Sequence, residues 1–210
     1  NIKNLDTSCA IALLWNEQRA NLIHYSNAHL MVHPVKLIIR KKDLPSFEIY
    51  KEFDDSYSLK TLLKDEKKVL GYSLGRSYSK ELDKIIEKFK TKNNSTMSAQ
   101  VSVFRSLLKM LSLNRIDYTL AYSHELNYMA EELNLKDEFV SLTIYGSNVL
   151  IPVYVACPKN EWGEKIIDRL NLYFKYTRQD RNYFGAYLQW LNEKEREDYI
   201  FLVNEYFKDK

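Results

Sequence analysis

The chain has 210 residues, 45% of them hydrophobic, and a formal net charge of +3. That is enough apolar material for one large or two small domains, and basic residues spread along the chain argue against a nucleic-acid surface. No apolar run approaches the length of a membrane span.

Residues 1–8 are polar and irregular, and the chain opens Asn1-Ile2-Lys3, as expected of a mature processed chain or a fragment. Residues 9–15 read as a buried strand. It empties into polar Asn16, Glu17 and Gln18 and then Arg19, with a short helical turn over 17–24. A guanidinium just beyond a strand can hold a carboxylate or phosphate through its planar fork; more ordinarily such an arginine is solvated. Residues 31–40 are extended, because Pro34 blocks a helix. A short helix is expected over 58–64, with Asp54, Asp55 and Ser56 as cap candidates.

A second strand covers 68–74 and ends at Gly75. Ser77 or Ser79 caps the helix that follows to about Phe89. Residues 90–96 form a polar loop. The spacing of Val101, Phe104, Leu107, Leu108 and Leu111 predicts an amphipathic helix over 98–112, broken at Asn114-Arg115. A strand over 116–122, a helix over 123–133, and strands over 139–144 and 149–156 around Gly146-Ser147-Asn148 come next. Helices over 162–176 and 183–207, the latter broken near Asn192, end the chain. Alternating strands and helices over 68–133 predict a parallel, doubly wound sheet. Ligands of such sheets lie beyond the carboxyl ends of the strands, where Arg19, Arg76, Ser77 and Tyr122 fall.

Residues 71–77, GYSLGRS, resemble a P-loop one residue short and with Arg76 in place of the phosphate lysine, which excludes nucleotide hydrolysis. What remains is either a helix start that offers backbone N–H groups and the Ser77 hydroxyl to an anion, or an ordinary turn with a capping serine. His24, His29 and His33 are close in sequence but lack supporting Asp or Cys ligands, so no metal is expected. Ser123 and His124 are adjacent and their side chains diverge, and no GxSxG elbow exists. The run 193–198 reads as the wet face of a helix. The two cysteines, Cys9 and Cys157, are too far apart for a zinc ribbon or a CxxC motif. They suit two buried thiols in the cytosol or one disulfide outside it.

Four stretches, in order, resemble the type II periplasmic solute-binding proteins, near the family that binds polar amino acids. Asn16-Glu17-Gln18-Arg19 with Tyr25-Ser26-Asn27-Ala28 is similar to a T-x-E-R turn followed by F-S-x-P. The stretch 71–77 resembles G-V-x-x-G-[ST], 111–118 resembles L-x-x-G-R-[IV]-D-A, and 155–172 resembles a late strand leading to I-N. The resemblance implies an α/β fold of two lobes joined by crossing strands. Lobe 1 would be 1–34 with 150–210 and lobe 2 would be 35–149. Lobe 1 would be incomplete, lacking two initial strand–helix units and leaving a sheet edge and apolar surface open near 9–14.

The implied function is an extracytoplasmic, periplasmic protein that captures a small solute in an interlobe cleft, with no chemistry and no cofactor. Arg19 would pair with an anionic group, Arg76 and Ser77 would support it, and Trp15, Tyr78 and Tyr122 would stack or hydrogen-bond. The family's carboxylate-binding serines are replaced by Ala12 and Leu14, and its acid for the ligand ammonium by Tyr122. An anionic or aromatic solute is therefore expected over a free amino acid. Implied partners are an ABC-type permease or a membrane sensor; no nucleic acid is expected, nor a span of the chain's own. A sensing module of the same fold and a small α/β enzyme are the alternatives. The resemblance also implies that the strands bearing Cys9 and Cys157 are antiparallel neighbours, which predicts a disulfide between them.

Overall fold

The computed structural model describes residues 6–99, 103–178, 180–191 and 193–208. The chain divides into two compact units, Asn1–His33 with Leu150–Lys210, and Pro34–Val149.

The first unit begins with β1 (Ala10–Leu13), the single turn α1 (Glu17–Ala20), β2 (Ile23–Tyr25) and β3 (Leu30–Val32). The second holds β4 (Lys36–Arg40), α2 (Leu44–Phe47), α3 (Leu59–Lys64), β5 (Leu70–Ser73), α4 (Lys80–Phe89), β6 (Ser95–Ser98), α5 (Val103–Ser112), β7 (Tyr118–Ala121), α6 (Ser123–Glu132) and β8 (Phe139–Leu142). The chain then returns to the first unit through β9 (Ile151–Pro158), α7 (Glu161–Thr177), α8 (Gly185–Leu188) and α9 (Glu193–Phe207). The expected break at Asn192 and the expected core residue Val101 lie outside the described residues.

Strand β9 organises the first unit, because β1, β2 and β3 all pair with it antiparallel. Helix α7 covers it. Val155, Cys157, Ile167 and Phe174 make the core there, with Trp162, Ile166 and Leu170 packed around them. Cys9 and Cys157 form a disulfide. The expectation of a buried strand over 9–15 is corrected: β1 is an edge strand with an irregular register against β9. Ala10 faces Ala156 and Leu13 faces Tyr154, so β1 holds one extra residue, and Ala12 takes a φ of 56°. That bulge turns Ile11 outward, 76% exposed, and only Leu14 of the apolar run is buried.

The second unit is a five-stranded sheet in the order β6-β5-β7-β4-β8. Strands β6, β5 and β7 run parallel, whereas β4 is antiparallel to both β7 and β8. The strands within 68–133 are parallel, as their alternation with helices predicts, and the sheet as a whole is mixed because β4 inserts antiparallel between β7 and β8. Its core has two sides: Leu37, Ile39, Phe47, Leu62, Leu70 and Tyr118 on one, and Ile38, Leu107, Leu108, Leu111 and Ile116 on the other. Gly71 lets α5 close on the sheet, since a Cβ there would meet Ile116 Cδ1 at 2.4 Å and Leu107 Cδ2 at 2.9 Å. Ser58 caps α3 in place of the expected Asp54, Asp55 or Ser56; Asp54 instead accepts the backbone N–H of Ser56 at 3.1 Å. Strand β6 forms inside the stretch expected to be loop and helix start.

One buried charge ties this unit together. Arg40, 6% exposed, donates from Nη1 to the carbonyls of Leu111 at 2.6 Å and Ile116 at 2.7 Å. Its Nε pairs with Asp43 and its Nη2 lies 3.4 Å from Asp117. Asp117 also accepts the Val69 N–H at 2.8 Å. Arg40 thus joins the Leu111 carbonyl in the last turn of α5 to the Ile116 carbonyl of the loop before β7, while Asp117 fixes the entry to β5.

Two outcomes follow from this architecture. Unfolded, unreduced protein should titrate no free thiol, and reduction should cost about 4–5 kcal/mol of stability, as expected for closing so long a loop; two titratable thiols would exclude the bridge. Arg40→Ala should lower the urea-unfolding free energy by about 3–5 kcal/mol, since it takes the cation from the Asp43 and Asp117 carboxylates and a donor from the Leu111 and Ile116 carbonyls. A loss below about 1 kcal/mol, the value of a surface pair, would show that Arg40 holds nothing.

Candidate functional site

Strands β5 and β7 pair in parallel through their amino-terminal halves, with Leu70 opposite Tyr118 and Gly71 opposite Thr119, so both run toward the same edge of the sheet. Thr119 Oγ1 donates to the Gly71 carbonyl at 2.7 Å and locks that pairing. Beyond β5 the chain turns through Gly75, whose φ of +70° suits glycine, and presents Arg76. Beyond β7, Tyr122 leads into α6.

These two ends meet through an ion pair. Arg76 Nη2 donates to Glu125 Oε2 at 2.6 Å, with the side chains 23% and 30% exposed. The same oxygen accepts the Tyr122 backbone N–H at 3.0 Å, so Glu125 caps α6 and fixes Arg76 together. The guanidinium carbon lies 5.5 Å from the Tyr78 ring centroid and 5.4 Å from that of Tyr122, a cation–π arrangement. His124 stacks on Tyr122 at 5.3 Å and 7°. Among the described residues, Arg76 Nε and Nη1 and Glu125 Oε1 have no hydrogen-bond partner.

The expected site residues divide as follows. Arg76, Ser77, Tyr78 and Tyr122 come together in the second unit; Trp15 and Arg19 belong to the first. Ser77 does not present a free hydroxyl. Its Oγ donates to Asp83 Oδ2 at 2.5 Å, and the Tyr78 N–H donates to Oδ1 at 2.8 Å. The anion drawn to this turn is therefore the protein's own, from the first turn of α4. Tyr78 is 2% exposed and its hydroxyl accepts the Ser73 N–H at 2.9 Å, so it shapes the turn and offers no face for stacking. Trp15, 45% exposed, does offer one. Arg19 lies on α1, where the Asn16 side chain accepts its backbone N–H at 3.2 Å. Burial raises the Tyr25 phenol, and the nearby Arg19 charge opposes that rise.

Glu125 and Asp83 escaped the sequence reading. Each stands in the first turn of a helix, Glu125 three residues after Tyr122, and an acid at that position is a capping signal legible in sequence.

Two histidines are held neutral. Burial lowers His124, with Glu125 opposing and Arg76 adding to the effect. Burial also lowers His29 of the first unit, and Arg178 adds to it. His29 stacks on Phe174 at 5.0 Å, and its Nε2 is buried with no hydrogen-bond partner among the described residues. Folded values below the ordinary 6.5 mean that the unfolded chain takes up these protons first. The contribution is complete above pH 6.5 and is lost as pH falls through the folded values. The urea midpoint should therefore be lower at pH 5.0 than at pH 7.5, and a His29→Gln, His124→Gln double variant should narrow the difference. A difference unchanged in that variant would assign the acid sensitivity to other groups.

A scan against protein-family models gives no match, and a search of curated proteins gives none. Solved structures do match. The chain aligns over 91% of its length with 72% of a histidine kinase sensor domain with similarity to periplasmic binding proteins, at a TM-score of 0.65 and 13% identity. It aligns over 86% with 69% of an ancestral arginine-binding protein bound to glutamine (TM-score 0.60, 16% identity). It aligns over 85% with 65% of an ABC uptake transporter substrate-binding protein from Streptococcus pneumoniae with bound histidine (TM-score 0.58, 18% identity). Among the described residues no helix is long and apolar enough to cross a membrane. With an α/β mixed sheet in one unit, an antiparallel sheet in the other and these neighbours, the chain has the periplasmic-binding-protein-like fold that its motifs imply.

Proposed function

We propose that the protein is an extracytoplasmic solute-binding module that captures a small solute and leaves it chemically unchanged. One observation carries this reading: a largely buried but still accessible guanidinium held just beyond one of two adjacent parallel strands, with Nε and Nη1 still unbonded among the described residues. A fixed fork of N–H donors is suited to a carboxylate or another planar anion. Arg76 is the anchor in the second unit. In the first unit the candidate groups are Arg19, for an anionic group, and the exposed ring of Trp15, for an aromatic or apolar body. Tyr122 positions Arg76, and Ser77 acts only through Asp83.

The disulfide supports an oxidising, extracytoplasmic location. Delivery of the solute to an ABC-type permease agrees with the transporter proteins that share the fold. A second reading, a sensor that signals to a membrane partner, is favoured by the sensor domain, which aligns over 91% of the chain. Both readings use the same site.

Calorimetry with a panel of small carboxylates tests the site. Arg76→Ala and Arg19→Ala should each weaken the best binder by about 1.5–3 kcal/mol, the range for a charge-assisted hydrogen bond, with no turnover of the bound molecule. Tight binding indifferent to both variants would place the site elsewhere.

A further inference from the structure

Strand β3 is the last element before the chain leaves the first unit at Pro34, and it lies antiparallel along β9. Two histidines flank it, His29 and His33. The C-terminal part of the unit reaches this strand through three tyrosines, one each from a 3-10 turn (Arg181–Phe184), α8 and α9. The Tyr183 hydroxyl lies 3.3 Å from His29 Nδ1. The Tyr187 hydroxyl accepts the His33 backbone N–H at 2.8 Å and lies 3.2 Å from His33 Nδ1. The Tyr199 hydroxyl donates to the Met31 carbonyl at 2.7 Å. Arg178, which follows α7, donates from Nη1 to the Ala28 carbonyl at 3.1 Å and stands 4.7 Å from the Phe207 ring of α9. Two of the three tyrosines therefore hold β3 through an imidazole.

His29 is the tie that acid breaks. A neutral ring can leave a bare lone pair on the buried Nε2. An imidazolium carries an N–H on both nitrogens, so it places a charged donor at Nε2 with no acceptor among the described residues. The groups that face the ring are Phe174 and Arg178 from α7 and its end, and Tyr183 from the 3-10 turn; from β9 the Val153 carbonyl accepts the His29 backbone N–H at 3.1 Å. Burial raises the Tyr183 phenol, which stays neutral, and Arg178 carries the same sign of charge as a protonated ring. Nothing in this set repays a proton, so a protonated His29 is stabilised by leaving its place between Phe174 and Tyr183. We propose that the 3-10 turn, α8 and α9 form an acid-operated clasp on β3, which uptake of one proton by His29 opens while β9 and the second unit keep their structure. Opening takes Tyr187 from the His33 N–H and Tyr199 from the Met31 carbonyl, and so loosens β3 next to Pro34. The clasp needs neither Arg19 nor Arg76 and stands apart from solute capture.

Hydrogen exchange read by mass spectrometry on the whole chain, corrected for the intrinsic pH dependence of exchange, tests this. Between pH 7.5 and pH 5.0 the protection factors of α8 and α9 should fall at least about fivefold, and those of α4 and α5 by less than about twofold. One proton on a ring that titrates at 6.5 when freed bounds the fall at about thirtyfold. In His29→Gln, whose side chain takes up no proton, the α8 and α9 factors should agree within about twofold at the two pH values, whatever their absolute level. The imidazole signals of the unaltered chain give a second reading, which decides the matter if His29→Gln does not fold: the His29 ring should titrate below 6.5, together with the loss of protection. Protection of α8 and α9 that does not change with pH overturns the proposal. So does a fall that persists in His29→Gln, one shared equally by α4 and α5, or a His29 ring that titrates at or above its ordinary value.

Discussion

The 2.6 Å contact between Arg76 and Glu125 depends on two parallel strands that start in register and run to the same edge of the sheet. That register is fixed from below. Thr119 bonds the Gly71 carbonyl across the strands, and Asp117 bonds the Val69 N–H at their amino ends. Gly71 leaves room for Ile116 and Leu107, so α5 can lie flat on this pair. Arg40 then joins the end of α5 to the loop before β7 through two carbonyls. A shift of β5 against β7 would break this set together, and the ion pair with it. Such coupling holds a site within the tolerance that polar recognition requires.

Much of this second unit was legible because its signals are local. Alternating strand and helix patterns gave the parallel core, and Asn114-Arg115 marked the end of α5, where Asn114 adopts a φ of 57°. What local pattern cannot carry is the sheet order. Residues 36–40 read as extended, but nothing in them says that they insert antiparallel beside β7. Strand β6 was lost for a related reason: of Ser95, Thr96, Met97 and Ser98 only Thr96 favours a strand, and the stretch is held by pairing with β5. In the first unit an apolar run was equated with burial, although a single bulge at Ala12 is enough to turn Ile11 to the outside. The family resemblance placed the two cysteine strands together, which spacing alone left open.

The site was legible in its cations and not in its anions. Arginine after a strand attracts notice, whereas Glu125 and Asp83 pass for surface acids of helical first turns. Yet the anions decide what the cations can do. Asp83 fills the donors of the turn after β5, and Glu125 halves what Arg76 has to offer. Each acid also stabilises the helix start on which it stands, so one residue serves local folding and site electrostatics at once. A sequence reading that assigns acids to caps and arginines to ligands separates two halves of one arrangement.

In the first unit the position of Arg19 depends on covalent and capping ties more than on burial. Strand β1 pairs on one side only, carries a bulge and exposes Ile11, so its own hold on the sheet is weak. Directly before it, Cys9 is bonded to the fully buried Cys157 of β9. At its far end, Asn16 caps α1 by accepting the Arg19 N–H, and the Tyr25 hydroxyl donates to the Leu14 carbonyl at 3.3 Å. Arg19 is thus reached along a chain of short constraints from β9: disulfide, edge strand, cap. Bulged edge strands fray readily in isolation. The disulfide removes that freedom at the point where hydrophobic packing is thinnest, which makes oxidation state, more than core volume, the condition for a defined guanidinium in this unit.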